Sequence, residues 1–386
     1  MSRVEPLAVG KTRRVRRTAP GVALAALMAA AGCGVLPATP SPPAQPVGGD
    51  GTFVAGYHAW WAGEAWANYP LAGLDRLYLF EVELSPEGGL GDTHGWPDRW
   101  EPLVASAHSA GVSVVPAITL HPDSAVEALL ENPGAIDKAA ASIAILVASH
   151  PELDGIHLDL EVFRPISAQA RQGYVALTQA VREHLNRTRP GAVLSVFLPA
   201  LDVADAYDER ALAEVADYVV VQGYDLHHRT GDRAGPVAAV GGWDPLSWDA
   251  VIDRLLKLGL APGSLVMGVP LYGYRWPTEG PEPGSPTRGP GVALPITAPP
   301  DVLPELPRAM DEAERYGLRR DPRSDSPYYT YRDDQGWVQG WFEDERSLRA
   351  KHDFVRRRGL GGVAYFPLAY APPDLRRALE RQGRSR

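Results

Sequence analysis

The segment Asp154-Gly155-Ile156-His157-Leu158-Asp159-Leu160-Glu161 (DGIHLDLE) alternates polar and apolar side chains. In an extended strand, His157, Asp159 and Glu161 share one face while Ile156, Leu158 and Leu160 share the other. The apolar set suits packing against helices. The polar set occupies successive inward positions and converges at the carboxyl end of the strand. Two carboxylates at i and i+2 stand roughly 6.5–7 Å apart along a strand. Each disfavours ionisation of the other, so one persists as a carboxylic acid near neutral pH and acts as a proton donor.

Outward from this segment, short apolar runs alternate with amphipathic stretches, as in a parallel sheet with crossover helices. Strands are expected at Phe53–Tyr57, Leu77–Val82, Val112–Leu120, Gly155–Leu160, Ala192–Leu198, Tyr218–Tyr224, Leu265–Leu271 and Gly362–Phe366. Most are Val, Ile, Leu and Tyr runs without polar alternation, which fits strands covered on both faces. Helices are expected over Trp100–Ala110, Ala135–Ser149, Ser167–Asn186, Pro245–Leu258 and Glu343–Arg358, three of them ending at Gly111, Gly259 and Gly359. Eight such units in about 330 residues predict an α/β fold, a (β/α)8 TIM barrel, which carries its chemistry at the carboxyl ends of the strands. A doubly wound open sheet is the alternative. It wants a glycine-rich phosphate loop after the first strand, and GYHAWWAGEAW (56–66) supplies none. Residues 276–338, rich in Pro, Gly and Arg and then polar and aromatic, break the rhythm. They predict a small insertion after the seventh strand that forms part of a cleft wall.

The 386 residues are 45% hydrophobic and 22% charged, the composition of an ordinary globular core rather than a disordered or polytopic chain. A single cysteine excludes an intramolecular disulfide, a Cys-rich zinc module and a CxxC redox site. The formal charge of −9 is an average. Residues 1–32 hold Arg3, Lys11, Arg13, Arg14, Arg16 and Arg17 against Glu5 alone, so the remainder is more acidic still. A body of that charge is a poor ligand for nucleic acid, whose affinity comes mostly from neutralised phosphates. KTRRVRR (11–17) followed by the apolar run Gly21–Ala31 reads as a signal peptide over 1–32, because the run is too short to span a bilayer. It ends in Ala30-Ala31-Gly32-Cys33, which resembles the bacterial lipobox and makes Cys33 the expected lipidation site. Residues 33–51 are a Pro-rich, charge-poor tether, and 52–383 the barrel. The expectation is an exported protein, lipid-anchored at the surface of the bacterial cell envelope, and a monomer.

DGIHLDLE also resembles the DxxDxDxE signature of glycoside hydrolase family 18, the chitinase family. The resemblance runs through the whole barrel. GYHAWW (56–61) is similar to the family's first strand, VVVQGYDL (219–226) to its Met-x-Tyr-Asp strand, VMGVPLYGYRW (266–276) to its seventh strand and GLGGVAYF (359–366) to its last. LYGYRW and GWFEDERSLRAK (340–351) look most like the peptidoglycan-directed branch typified by spore-cortex-lytic enzymes. The resemblance implies hydrolysis of β-1,4 links in N-acetylated amino-sugar polymers, peptidoglycan or chitin-type oligosaccharides. It implies retention by substrate assistance, in which the substrate's own acetamido oxygen attacks C1. Carried over residue by residue, Glu161 is the general acid that later activates water. Asp159 holds the acetamido N–H and stabilises the oxazolinium, and Tyr224 hydrogen-bonds the acetamido carbonyl. Substrate-binding positions are then Asp225, Gln222, Tyr57, His157, Phe366, Tyr272 and Trp276, with Tyr57 also supporting the aspartates.

Four positions depart from the family pattern. His157 stands for the second Asp of the signature, where a neutral imidazole would hydrogen-bond Asp159 and a charged one would pin it as carboxylate. Phe366 replaces a tryptophan, PAITLH (116–121) replaces Ser-x-Gly-Gly-Trp, and Gln222 replaces Met. These departures keep a second possibility open, a catalytically weak or inactive glycan-binding barrel of the envelope. Trp60, Trp61, Trp243, Tyr272, Tyr274 and Trp276 follow predicted strands, where sugar-stacking rings would project. His58, His94, His121 and His227-His228 show no HxH or HExxH spacing. Neither a metal nor a cofactor is expected. Glu343-Asp344-Glu345 reads as the acidic first turn of the last long helix.

Overall fold

The computed structural model describes residues 52–384. Cys33, the signal over 1–32 and the tether lie outside the described residues. In chain order the elements are β1 (Phe53–Ala59), β2 (Arg76–Glu83), α1 (Glu101–Ser109), β3 (Ser113–Thr119), α2 (Asp123–Leu130), α3 (Pro133–Ser149) and β4 (Gly155–Leu158). There follow α4 (Ala168–Thr188), β5 (Val193–Leu198), α5 (Glu209–Val215), β6 (Tyr218–Val221), α6 (Trp248–Lys257), β7 (Leu265–Pro270), β8 (Tyr272–Thr278) and β9 (Val292–Pro295). The last are α7 (Ala309–Tyr316), β10 (Arg319–Arg320), β11 (Pro327–Asp333), β12 (Gly336–Trp341), α8 (Glu345–Arg358), β13 (Gly362–Phe366) and α9 (Pro373–Arg384).

Strands β1 to β7 and β13 pair in parallel and close into a barrel in the order β1-β13-β7-β6-β5-β4-β3-β2. This is the (β/α)8 barrel that the eight sequence units predict. Outward side chains such as Leu77, Val114, Ile156, Leu158, Leu194 and Val219 join Leu103, Ile143, Leu177, Val251 and Leu348 of the helices in one apolar layer. Apolar surface on both strand faces is what removes the polar alternation from these runs. The helices start on side-chain caps: Asn132, Ser167, Asp208, Ser247 and Asp344 each accept a backbone N–H at the start of α3, α4, α5, α6 and α8. Gly359 closes α8 at φ 64°, a left-handed conformation that glycine adopts without a Cβ penalty.

The barrel interior holds Phe53, Ala55, Tyr57, Tyr78, Val115, Tyr218, Val220, Val266 and Ala364. Its polar floor is Arg76, which donates to the Tyr218 hydroxyl and, at 2.9 Å, to Ser113 Oγ. Tyr78 and Tyr218 share a hydrogen bond of 2.6 Å beside it. These hydroxyl partners on two of its nitrogens offset part of the cost of placing a cation inside the barrel.

The break in rhythm is a five-stranded antiparallel sheet, ordered β10-β11-β12-β8-β9. It spans Tyr272 to Trp341 and so extends past both ends of the expected 276–338. Its first and last strands, YGYRWPT and GWVQGW, are aromatic and barrel-like in composition, so composition alone does not mark where the insertion begins. α2, α5, α7 and α9 were not expected from sequence. The first three have seven or eight residues, barely two turns, and the Arg-rich α9 shows only Leu375 and Leu379 as buried apolar positions. Glu343 is not in the first turn of α8 either. It is fully buried and bound to Lys351 Nζ at 2.6 Å, while Asp344 forms a capping box with Ser347.

Candidate active site

A cavity of about 190 Å³ opens at the carboxyl ends of the barrel strands. It is lined by, among others, Tyr57, Asp159, Glu161, Gln222, Tyr224, Asp225, Tyr272 and Phe366. Ladder pairing in β4 stops at Leu158, yet the Asp159 amide still donates to the Ile118 carbonyl at 2.8 Å. That bond carries the strand-like alternation past the last rung. His157, Asp159 and Glu161 therefore stay on the inner side, as the period of two requires.

Burial governs the electrostatics of this pair. Desolvation, with the Glu81 carboxylate nearby, holds the Asp159 carboxyl well above the ordinary aspartate range. Burial followed by the Asp159 charge pushes Glu161 up further, Asp225 and Glu81 adding to it against the opposing pull of His121. The two carboxyls titrate as a pair, in two steps that belong to both. Between those steps they share one proton. Asp159 Oδ1 is buried with no hydrogen-bond partner, an acceptor held ready and dry.

His157 lies beneath the cavity, fully buried. Its Nδ1 is 3.0 Å from Ser195 Oγ, and its Nε2 is 3.1 Å from the Tyr57 hydroxyl but 3.7 Å from Asp159 Oδ2. Burial, with Arg76 adding to it, draws the imidazole pKa down to about 3, so the ring is neutral across the working range. Neither expected role survives this geometry. The imidazole does not pin Asp159 by charge, and its Nε2 is taken by Tyr57 instead of the aspartate. Fully buried, it is not among the residues that line the cavity, so its expected place as a substrate-binding side chain is corrected to support from below.

On the opposite wall, β6 ends at Val221 and the chain turns through Gln222 to Asp225, whose φ of 58° places it in the left-handed region. Asp225 Oδ1 accepts hydrogen bonds from Tyr272 (2.7 Å) and Tyr274 (3.1 Å), both on β8. The inserted sheet thus supplies part of the cleft wall. Burial raises the Asp225 pKa, the two tyrosine hydroxyls opposing it. Gly268 on β7 is required by close approach: a Cβ there would lie 2.9 Å from the Tyr224 ring and 3.0 Å from the Val221 carbonyl oxygen. Phe366 sits at the centre of an aromatic floor. Its ring stacks near Tyr224 at 6.2 Å and meets Tyr57 (5.5 Å), Phe80 (5.4 Å), Trp61 (6.3 Å) and Tyr272 (6.5 Å) edge-on.

The description of glycosyl hydrolases family 18 matches residues 105–371, a span from α1 through the last barrel strand that includes both carboxylates. The chain belongs to glycosyl hydrolases family 18. It is 27% identical over 227 residues to the cortical fragment-lytic enzyme of Bacillus subtilis (strain 168), covering 57% of this chain and 47% of that enzyme. It is 24% identical over 278 residues to the di-N-acetylchitobiase of Rattus norvegicus, covering 68% of this chain and 71% of that protein. The barrel superposes on the second catalytic domain of the Ostrinia furnacalis Group II chitinase with a TM-score of 0.71 at 21% identity, over 87% of this chain and 97% of that one. The chain spans 65% and 47% of the lengths of two B. subtilis relatives it matches.

Within this family 18 barrel, Trp276 is a correction to the expected site. It is fully buried in the inserted sheet's own core with Tyr274, Tyr328 and Trp341, and its indole N–H donates to the Arg229 carbonyl at 3.2 Å. The seventh-strand motif continues straight into β8, and its fifth residue, on the same face as Tyr272 and Tyr274, is carried along the strand past the cleft into the core of the inserted sheet. Trp276→Ala is accordingly expected to cost about 3–5 kcal/mol of stability, the range for truncating a buried tryptophan. Urea unfolding reads the loss, while KM for an amino-sugar oligomer stays unchanged in the folded protein. A raised KM with normal stability would return Trp276 to the cleft.

Phe80, Phe197 and Val220 line the cavity but were missed from sequence, because inward apolar residues look the same whether they fill a barrel or face a ligand. Trp61 was one of several aromatics without a means of choice. Glu81 was missed for another reason: the β2–β3 register shifts between Phe80 and Val82, so alternation counted along β2 does not place it.

Proposed function

We propose that this family 18 protein hydrolyses β-1,4 bonds next to N-acetylated amino sugars, in peptidoglycan fragments or chitin-type oligosaccharides, with assistance from the substrate's own acetamido group. One observation carries the proposal: Asp159 with an unbonded oxygen, Glu161 with a raised pKa and Tyr224 line the same cavity.

Glu161, protonated, donates to the glycosidic oxygen as the C1–O bond breaks, and the leaving sugar departs as an alcohol. The acetamido carbonyl oxygen forms the new bond to C1. Asp159 accepts the acetamido N–H and offsets the positive charge of the oxazolinium, while Tyr224 donates to the acetamido oxygen and orients it. Glu161, now a carboxylate, takes a proton from water as that water attacks C1 and reopens the ring. This restores the acid and retains the configuration at C1. Phe366 and its neighbouring rings offer the apolar faces against which a sugar ring packs, and Asp225 and Gln222 are placed to hydrogen-bond its hydroxyls.

The likeness to a cortical fragment-lytic enzyme supports peptidoglycan, and that to a chitobiase supports short amino-sugar chains. The export signal, tether and Cys33 read from the sequence support a lipid-anchored enzyme acting in the cell envelope. No helix among the described residues is long and apolar enough to cross a membrane. Incubation with purified sacculi and with chitin oligomers, with and without an oxazoline-mimicking thiazoline, tests the mechanism. Products that thiazoline suppresses are expected. Hydrolysis indifferent to thiazoline would overturn substrate assistance, and binding without any product would favour the glycan-binding barrel.

A further inference from the structure

We propose that the end of β2 holds a divalent cation of the zinc class, bound by His94 Nε2, Glu81 Oε1 and Glu83 Oε1. Positions 81, 83 and 94 have no metal-ligand spacing, so nothing in the sequence pattern joins them. The fold does. After β2 the chain doubles back through a Leu84–Leu90 bridge, with the Glu83 amide bonded to the Asp92 carbonyl at 2.8 Å and the Gly91 amide to the Glu83 carbonyl at 2.6 Å. This returns His94 to the side of the strand it left.

The imidazole is held by contacts that turn Nε2 toward the two glutamates, where it hydrogen-bonds Glu83 Oε1. The His94 amide donates to Asp92 Oδ1 at 2.7 Å, its carbonyl accepts from the Trp100 indole at 3.2 Å, and its ring lies flat on Trp60, 4.6 Å between centroids at 2°. Its φ of 48° shows how sharply the backbone turns to put the ring there. Nε2 is then 3.2 Å from Glu83 Oε1 and 3.7 Å from Glu81 Oε1, and one ligand atom from each of the three residues lies within 4.8 Å of the others. Donors roughly 2.0–2.2 Å from one ion, at angles between tetrahedral and trigonal, are roughly 3.3–3.8 Å apart. Both distances from His94 fall close to that range, and all three ligand atoms lie near enough for small side-chain shifts to close on one ion.

Glu81 supplies the second, independent observation. Its side chain is only 9% exposed, and its Oε2 is buried with no hydrogen-bond partner. On that side His121 Nε2 stands at 3.7 Å, an ion-pair distance longer than a direct hydrogen bond. A carboxylate so desolvated needs positive charge beside it, and with His121 on its Oε2 side the Oε1 side, facing His94, is where a cation would meet it. One imidazole nitrogen and two carboxylate oxygens are a donor set that suits zinc or its neighbours, and three protein ligands leave a fourth position for water or a substrate oxygen. Glu81 follows Phe80, which lines the cavity, so the site adjoins the cleft wall. The competing account is that His94 simply bonds to Glu83 beside Glu81 and Asp92, with no ion.

Calorimetric titration of the chelator-treated protein with zinc chloride separates the two. One site is expected, with affinity falling at least ~10-fold in His94→Ala and in Glu81→Gln and unchanged in His108→Ala, whose ring pairs with Asp154 elsewhere. Cobalt(II) added to the wild-type protein should give the intense visible bands of a four-coordinate ion, a reading that depends on no variant. Absence of zinc binding by the wild-type protein, or binding that persists in a folded His94→Ala protein, would overturn the proposal.

Discussion

Glu161→Gln is expected to abolish hydrolysis while leaving the barrel intact. The amide matches the acid in volume at the cavity wall, so packing is preserved, but it has no acidic proton to give the departing oxygen. General acid–base catalysis is worth about 10²–10⁴ in rate, and in the proposed mechanism Glu161 serves as acid in one step and base in the next, so the upper end is expected. The pH dependence of the wild-type protein should show the same residue. Burial and the Asp159 charge both raise the Glu161 pKa. The acid is therefore protonated below that raised value and lost as pH rises through it. Activity should persist at pH values well above the ordinary glutamate pKa of about 4.3 and then fall on an alkaline limb. Release of reducing ends from a chitin oligomer measures the rate, and a thermal melt by circular dichroism checks the fold. A variant with activity within tenfold of wild type would remove Glu161 from the chemistry.

Much of this barrel could be read from its strands because burial on both faces writes a plain signal. Each of the eight predicted runs coincides with a barrel strand to within a few residues. DGIHLDLE was legible because one strand end breaks that rule, placing three polar residues inward on an otherwise apolar strand. What stayed hidden depends on contacts between distant segments. His157 was visible as a substitution, but its partner was not. Tyr57, a hundred residues earlier, and Ser195 claim both ring nitrogens, and only the closed barrel brings them together. Trp276 misled because the aromatic pattern of the cleft strand runs on unbroken into a separate sheet. Glu343 misled because it sits beside a true capping residue, and its burial against Lys351 follows from tertiary packing that no local pattern announces. Short-range periodicity reports what an element buries. It does not report which of two elements shares the burial.

Asp159→Asn should lower kcat by about 10²–10³, the usual effect of removing a group aimed at developing charge in a dry site, and should also move the alkaline limb. Asparagine keeps the size and one acceptor oxygen, so the acetamido N–H still finds a partner. It carries no negative charge to set against the oxazolinium. The shift in pH dependence distinguishes this from a general loosening of the site. The Asp159 carboxylate is, after burial, the largest influence raising Glu161. Without that charge the proton on Glu161 is held less tightly, so its pKa falls and the alkaline limb of kcat moves to lower pH. A substitution that merely disturbed packing would reduce the rate at every pH and leave the limb in place. Profiles of kcat against pH report groups in the enzyme–substrate complex, the state in which the proposed acid acts. His157 cannot compensate, since it is neutral and stands 3.7 Å from the aspartate. A slower variant with an unmoved limb would show that Asp159 positions the substrate without sharing its charge with the acid.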